Sequence, residues 1–257
     1  MKKRLVAILV IAIIACMVFV TGCGKKDAPG PESMNNTPAA DPAEEEEEAE
    51  AEAEAEAETE AEAEAEESGT TVPSELIGET TETSYENKFF GLKFEAPETW
   101  HILDQEELNQ LMGIASASID DEAVLEMFES QGYVMDLYAM DLTNAETGVV
   151  NNVNITIQDI GKLYGIIYDE KTIAESSVET VKQSLAAQGA TDINVEIGEA
   201  DFLGKKCVAM TIQSKAGDIG MYQKQVYLKN GSAMACVTAT CFNEDKTDEV
   251  LAAFKAL

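Results

Sequence analysis

Between residues 85 and 257 the apolar positions repeat with two different periods, and each change of period marks a new element. Phe89-Phe-Gly-Leu-Lys-Phe94 alternates as a strand does, and Pro97 ends it. Asp104-Gln-Glu-Glu107 has capping-box spacing and predicts a short helix to about Gly113. Ala123, Val124, Met127 and Phe128 recur at helical spacing, which predicts a second helix over Asp120–Ser130. Tyr133–Leu142 and Val149–Asp159 read as strands joined by a turn at Asn144–Gly148. Glu170–Gln188 carries a stripe of Ile173, Val178, Val181 and Leu185, followed by Gly189, and predicts the longest helix. Ile193–Ile197, Lys206–Gln213 and Tyr222–Leu228 read as strands. Asn230-Gly231 marks a hairpin, and Ala233–Phe242 is the next strand. Asp245 or Thr247 caps a last helix carrying Val250, Leu251 and Phe254. This order predicts an α+β fold, with helices on a mostly antiparallel sheet.

The N-terminus follows another pattern. Met1–Arg4 is basic, and Leu5–Val20 is an apolar run that spans about 24 Å as a helix, short of a bilayer core of about 30 Å. Val20-Thr21-Gly22-Cys23 closes the run with small residues. This is the grammar of a secretory signal. The tetrapeptide resembles a bacterial lipobox. The resemblance implies that residues 1–22 are a lipoprotein signal peptide removed by signal peptidase II. It also implies that Cys23 receives a thioether-linked diacylglycerol and that fatty acids such as palmitate anchor the chain. Two acyl chains supply the double signal that stable anchoring needs. The expected location is the extracytoplasmic face of the cell membrane.

Residues 23–84 read as the lipidated cysteine followed by a tether. Gly, Pro, Ser, Asn and Ala dominate 24–40, and 44–67 is largely an Ala-Glu repeat with fifteen Glu. Ala and Glu favour helix, but Glu at every second position sets like charges at i,i+4 throughout. The expected state is a disordered, charge-swollen spacer. A weak, non-stoichiometric cation sponge is the other reading of the Glu run, since a mobile run lacks a fixed calcium cage. Residues 85–257 are then one globular domain.

Phe90-Gly-Leu-Lys-Phe-Glu-Ala-Pro97, with Trp100 after it, resembles the opening of the PsbP-like (Mog/PsbP/LpqN) domain family. The long helix at 170–188, Phe202-Leu-Gly-Lys-Lys206, the meander and the terminal helix agree with it. The resemblance implies an α/β/α sandwich around a mostly antiparallel sheet over 85–257. It transfers no activity, because family members serve as photosystem subunits, partner-binding proteins and lipoproteins of unknown role.

Charge removes several function classes. The chain has 49 Asp+Glu against 17 Lys+Arg, a net charge of −32, and its sole Arg is Arg4. Residues 68–257 alone carry 31 acids and 12 Lys, a net of −19. Phosphate backbones are repelled, so no nucleic-acid partner is expected. No phosphate loop, nucleophile elbow or zinc-protease motif occurs, and neither a cofactor nor a metal is expected. His101 with Cys207, Cys236 or Cys241 is the available base–nucleophile pair, and strand cysteines are usually inert core. Cys236 and Cys241, five apart in one strand, face opposite ways and do not easily bridge.

Asp120-Asp121-Glu122 and Asn243–Glu249 read as helix caps rather than calcium loops. Asn151, Asn152 and Asn154 read as turn or strand-face residues. Trp100 is expected as a core anchor, and Tyr133, Tyr138, Tyr164, Tyr168 and Tyr222 as candidate contact residues. The reading is therefore a lipid-anchored, non-enzymatic binding or interaction module with a protein or small-molecule partner. The alternative is an extracytoplasmic hydrolase or thiol enzyme.

Overall fold

The computed structural model describes residues 72–117, 133–147 and 149–257, with side chains at 114–117 and 162–164 excepted. The signal segment, Cys23, the Glu-rich stretch and the helix expected at Asp120–Ser130 lie outside the described residues, as does the side chain of Tyr164. Among the described residues no helix is long and apolar enough to cross a membrane.

The chain builds an α+β fold from two antiparallel sheets and a few helices. In chain order the first strands are β1 (Glu79–Thr80), β2 (Ser84–Asn87), β3 (Leu92–Glu95) and β4 (Trp100–Ile102), followed by helix α1 (Gln105–Ala117). Then come β5 (Tyr133–Asp141), β6 (Asn152–Asp159), α2 (Gly161–Ile167) and α3 (Glu170–Ala187). A meander of β7 (Thr191–Phe202), β8 (Lys205–Ala216), β9 (Ile219–Asn230) and β10 (Ala233–Phe242) leads to α4 (Thr247–Leu251) and β11 (Phe254–Ala256).

The large sheet has the order β4-β5-β6-β10-β9-β8-β7 and the small one β1-β2-β3-β11. Two-residue turns join the meander, because Phe202 faces Lys205, Ala216 faces Ile219 and Asn230 faces Ala233. Leu203 and Gly204 both have positive φ, as a type I′ hairpin turn requires.

Alternation along the central strands sorts side chains to two faces. Val153, Ile155 and Ile157 of β6, with Ala235, Val237, Ala239 and Cys241 of β10, face the small sheet. Tyr85, Leu92, Phe94 and Phe254 pack on them there, with Val250 and Leu251 of α4. On the opposite face α3 buries Ile173, Ala174, Val181 and Leu185 against Met210, Ile212, Met221 and Met234. Leu108 and Leu111 of α1 pack with Met135 and Tyr138 on that same face. Helices thus cover both faces, and one face is shared with the second sheet.

α3 ends as its sequence predicts. Gly189 has φ +83, its N–H donates to Ala186 O, and Ala190 N–H reaches back to Leu185 O. These are the two bonds of a Schellman cap.

Several boundaries differ from expectation. The packed region begins upstream of Tyr85: Val72 and Leu76 lie in the core beneath the small sheet. Ser, Pro and Thr around them hide these two apolar anchors in a segment of tether-like composition. Phe254 belongs to a strand, not to the last helix. α4 stops at Leu251, and Phe254 then pairs with Phe94 across the small sheet. The strand expected from Phe89 starts at Leu92, because residues 88–91 form a turn. The turn expected at 144–148 is a 3-10 segment over Leu142–Thr147, and α1 runs past Gly113 to Ala117.

Candidate functional site

The helix-side face of the large sheet carries a field of uncharged polar side chains at its centre. Strand register sets them in three rows. Met140, Asn152, Thr240 and Gln223 form the first row. Tyr138, Asn154, Thr238 and Gln225 form the second, and Met135, Thr156, Cys236 and Tyr227 the third. At about 4.8 Å between strands and 3.4 Å per residue, the field measures roughly 14 Å each way. Asn152, Asn154, Thr156, Gln223, Thr238 and Thr240 are all 0% exposed. The apolar cluster of α3 spans β8, β9 and part of β10, reaching Tyr227 and Cys236 of the third row, and that of α1 falls on β5. The Asn, Thr and Gln side chains of the field belong to neither cluster.

Part of the field is satisfied internally. Gln223 Nε2 donates to Thr240 Oγ1 at 3.1 Å, and Tyr227 OH donates to Gln225 Oε1 at 2.9 Å. Asn152 is different: neither its Oδ1 nor its Nδ2 has a partner, and Thr156 Oγ1 has none. A buried polar group without a partner costs about 1–3 kcal/mol. The sequence places Asn152 and Asn154 at a turn or strand face. They occupy a strand face, and it is buried. The alternating Asn-Val-Asn-Ile-Thr-Ile pattern looks like a half-wet strand, because alternation reports one apolar face and is silent on what covers the other. The neighbouring Asn151 accepts the Phe242 N–H at 3.1 Å.

A second concavity of about 900 Å³ runs beside β5, between the Gly78–Thr83 segment and the start of α1. It holds His101, whose Nε2 lies 3.0 Å from both carboxylate oxygens of Glu107. Glu107 also accepts the Asp104 N–H, and Asp104 Oδ1 accepts the Glu107 N–H, completing the predicted capping box. These bonds, the Asp104 N–H first and His101 next, hold the Glu107 carboxyl below its usual range. Asp136 sits at the inner wall, where a bulge between Met135 and Leu137 turns it toward β2. It accepts from the Gly78 N–H, the Tyr85 hydroxyl and the Asn87 amide. Burial pushes the Asp136 carboxyl up in spite of those three donors. The hydroxyls lining this cleft belong to Thr80, Thr81 and Thr83.

The thiols lie elsewhere. His101 aligns through Met140 and Asn152 with Thr240, so β10 is three strands away, about 14 Å. Cys241 faces the small sheet and Cys236 the helices, as their spacing predicts. Cys207 is two strands farther from β4 than β10 is. All three are buried, and none is in a disulfide. Burial raises the thiol of Cys207, and that of Cys241 to about 11, which keeps both un-ionised at neutral pH. Among the described residues no His–Cys dyad is assembled.

The remaining candidates are structural. Asp245 Oδ1 accepts both the N–H and the hydroxyl of Thr247 at the start of α4. Trp100 is half-buried and packs edge-on to Phe94 at 6.1 Å. Tyr138 is fully buried, while Tyr133, Tyr168 and Tyr222 are half-buried. Asp120, Asp121 and Glu122 lie outside the described residues. Among the described residues no group of three His, Cys, Asp or Glu side chains is placed to hold a metal ion.

No protein-family model and no curated protein matches this chain. Among solved structures it is similar to LpqN of Mycobacterium tuberculosis, described as involved in cell envelope biogenesis. The two are 11% identical, the match covers 63% of this chain and 75% of that one, and the TM-score is 0.33.

Proposed function

We propose that this chain is a lipid-anchored protein of the extracytoplasmic membrane face, and that its PsbP-like domain is a non-enzymatic binding module. The ligand is small, uncharged and rich in hydroxyl or amide groups, and it binds at the polar field of the large sheet. One observation carries the binding reading: Asn152 and Thr156 are fully buried with unpartnered polar atoms. An amide and a hydroxyl each donate and accept, so together they suit a neutral ligand that does both. A charged ligand would lack a countercharge there, because the field holds none. The lipobox supports the anchor, with Cys23 as the acylated residue and the membrane as a partner through it.

Two measurements test this. Cys23→Ala abolishes labelling by a fatty-acid probe in cells if the anchor reading holds, and persistent labelling would sink it. For the domain, a panel of neutral oligosaccharides and of dipeptides with uncharged side chains, acetylated and amidated at their ends, is screened by thermal shift on the full-length chain. Thr156→Val and Asn152→Leu remove the unpartnered groups at similar volume. Both variants should keep or gain thermal stability and lose the shift given by the panel member that binds. A shift unchanged in both variants, or no shift from any member, overturns the reading.

The hydrolase alternative rests on the His101–Glu107 pair beside the 900 Å³ cleft. It predicts ester or amide hydrolysis that is lost in His101→Gln. Its thiol-enzyme variant has no geometry to rest on, because Cys207, Cys236 and Cys241 lie strands away from His101.

A further inference from the structure

The large sheet opens at one end. β7 and β8 pair from their shared turn onward, and β9 and β10 do the same. β8 and β9 pair only from Ala209–Val226 to Ala216–Ile219. Both strands continue four residues past Ala209 and Val226, so residues 205–208 and 227–230 flank each other without ladder bonds. A cavity of about 330 Å³ occupies this fork. Phe89 and Phe90, edge-to-face at 5.1 Å, line it beside the two strands.

The charge in the fork runs against that of the domain. Lys205, Lys206 and Lys229 line it, facing one acid, Glu170. A quarter of the Lys of residues 68–257 thus meets at one opening in a region of net charge −19. Asp201, just outside, pairs with Lys206 at 2.8 Å, but both side chains are more than half exposed. Such a pair contributes little and exchanges readily. Lys229 Nζ donates to the Tyr168 carbonyl at 2.8 Å, which fixes its ammonium at the rim and leaves its remaining protons to donate. Lys205 brings a third charge on a flexible stem. Without Arg in the domain, point-charge ammonium groups are the means this chain has for holding a phosphate.

We propose that the β8–β9 fork is a binding site for a compact phosphate-bearing anion, distinct from the neutral polar field of the large sheet. Lys206 and Lys229, on opposite strands but set by alternation on the same helix-side face as Val208 and Tyr227, hold the phosphate oxygens between them, with Lys205 at the mouth. The splayed main chain adds hydrogen-bonding groups that the sheet does not use, and Phe89 and Phe90 shield one side. The volume suits a group of pyrophosphate size.

The test is titration of the full-length chain in detergent with inorganic pyrophosphate, read by calorimetry and by amide NMR shifts. Saturable binding is expected, with the largest shifts at Val208 and Leu228 on the two arms of the fork. Lys206→Gln and Lys229→Gln are each expected to weaken it about tenfold, the loss of one charge-assisted hydrogen bond. Lys215→Gln, at the far end of β8, serves as the control and leaves affinity unchanged. Vesicles of anionic phospholipid are a second probe: association that needs Lys206 and Lys229 would identify the source as a lipid headgroup rather than a free anion. Absent binding to both probes overturns the site. So does binding that Lys215→Gln weakens as much as the fork variants do.

Discussion

Asp136 is the one buried carboxylate among the described residues, and it shows how a single bulge places a charge in the core. Its folded-state proton affinity is raised by burial, with three donors opposing. The linkage has a definite sign. A carboxyl with a raised folded value adds stability that is fully present below the ordinary carboxylate pKa of about 3.9. That stability is lost as pH rises through the folded value. Asp136→Asn does not titrate. The Tm of this variant minus that of the native chain should therefore grow more positive from pH 4 to pH 7, whatever constant offset the substitution brings. A flat or falling difference contradicts the assignment. None of this is legible in Tyr-Val-Met-Asp-Leu-Tyr, where a strand is plain but a register shift is not. The same holds for Asn152 and Thr156: their residue types are visible in the sequence, while their burial is not.

At the scale of elements, α3 is the helix whose loss would most expose the sheet. Leu185 is fully buried beneath it. Leu185→Ala should cost about 2–5 kcal/mol in urea unfolding with an unchanged m-value. A cost under about 1 kcal/mol would mean that α3 is not anchored there. Local signals predict this helix, its Gly189 cap, the α1 capping box and the β9–β10 hairpin, because each is decided within a few residues. β11 escapes such signals for the opposite reason. Phe254 continues a helical spacing from Val250 and Leu251, and only pairing with β3, some 160 residues upstream, makes it a strand. Val72 and Leu76 escape them in the same way, since they gain their meaning from the small sheet they pack under.

Across the whole molecule the acidic side chains repel one another. With 31 acids and 12 Lys over residues 68–257, compact folding concentrates negative charge. Among the described residues most ion pairs are exposed, such as Lys182–Glu179 and Lys215–Asp192, and offset little of it. Raising salt from about 10 mM to about 150 mM shortens the screening length from roughly 30 Å to roughly 8 Å. The Tm should rise by a few degrees over that range and then level off. A fall would show that attractive pairs outweigh repulsion. The α+β class and the antiparallel meander are readable at this scale from element order, whereas the split into two sheets is not.

The position of β10 also sets a schedule. It is the strand between β6 and β9, its ten residues are all buried, and it comes late in the chain. A nascent polypeptide that has emerged only as far as Asn230 holds two half-sheets, β4–β6 and β7–β9, with nothing to join them. Neither half buries both its faces, and the β6 edge that must receive β10 stays open. Assembly is therefore governed by contacts far apart in sequence, which makes it slow and all-or-none. A chain that has not yet added β10 cannot close the large sheet, however much of the rest has formed.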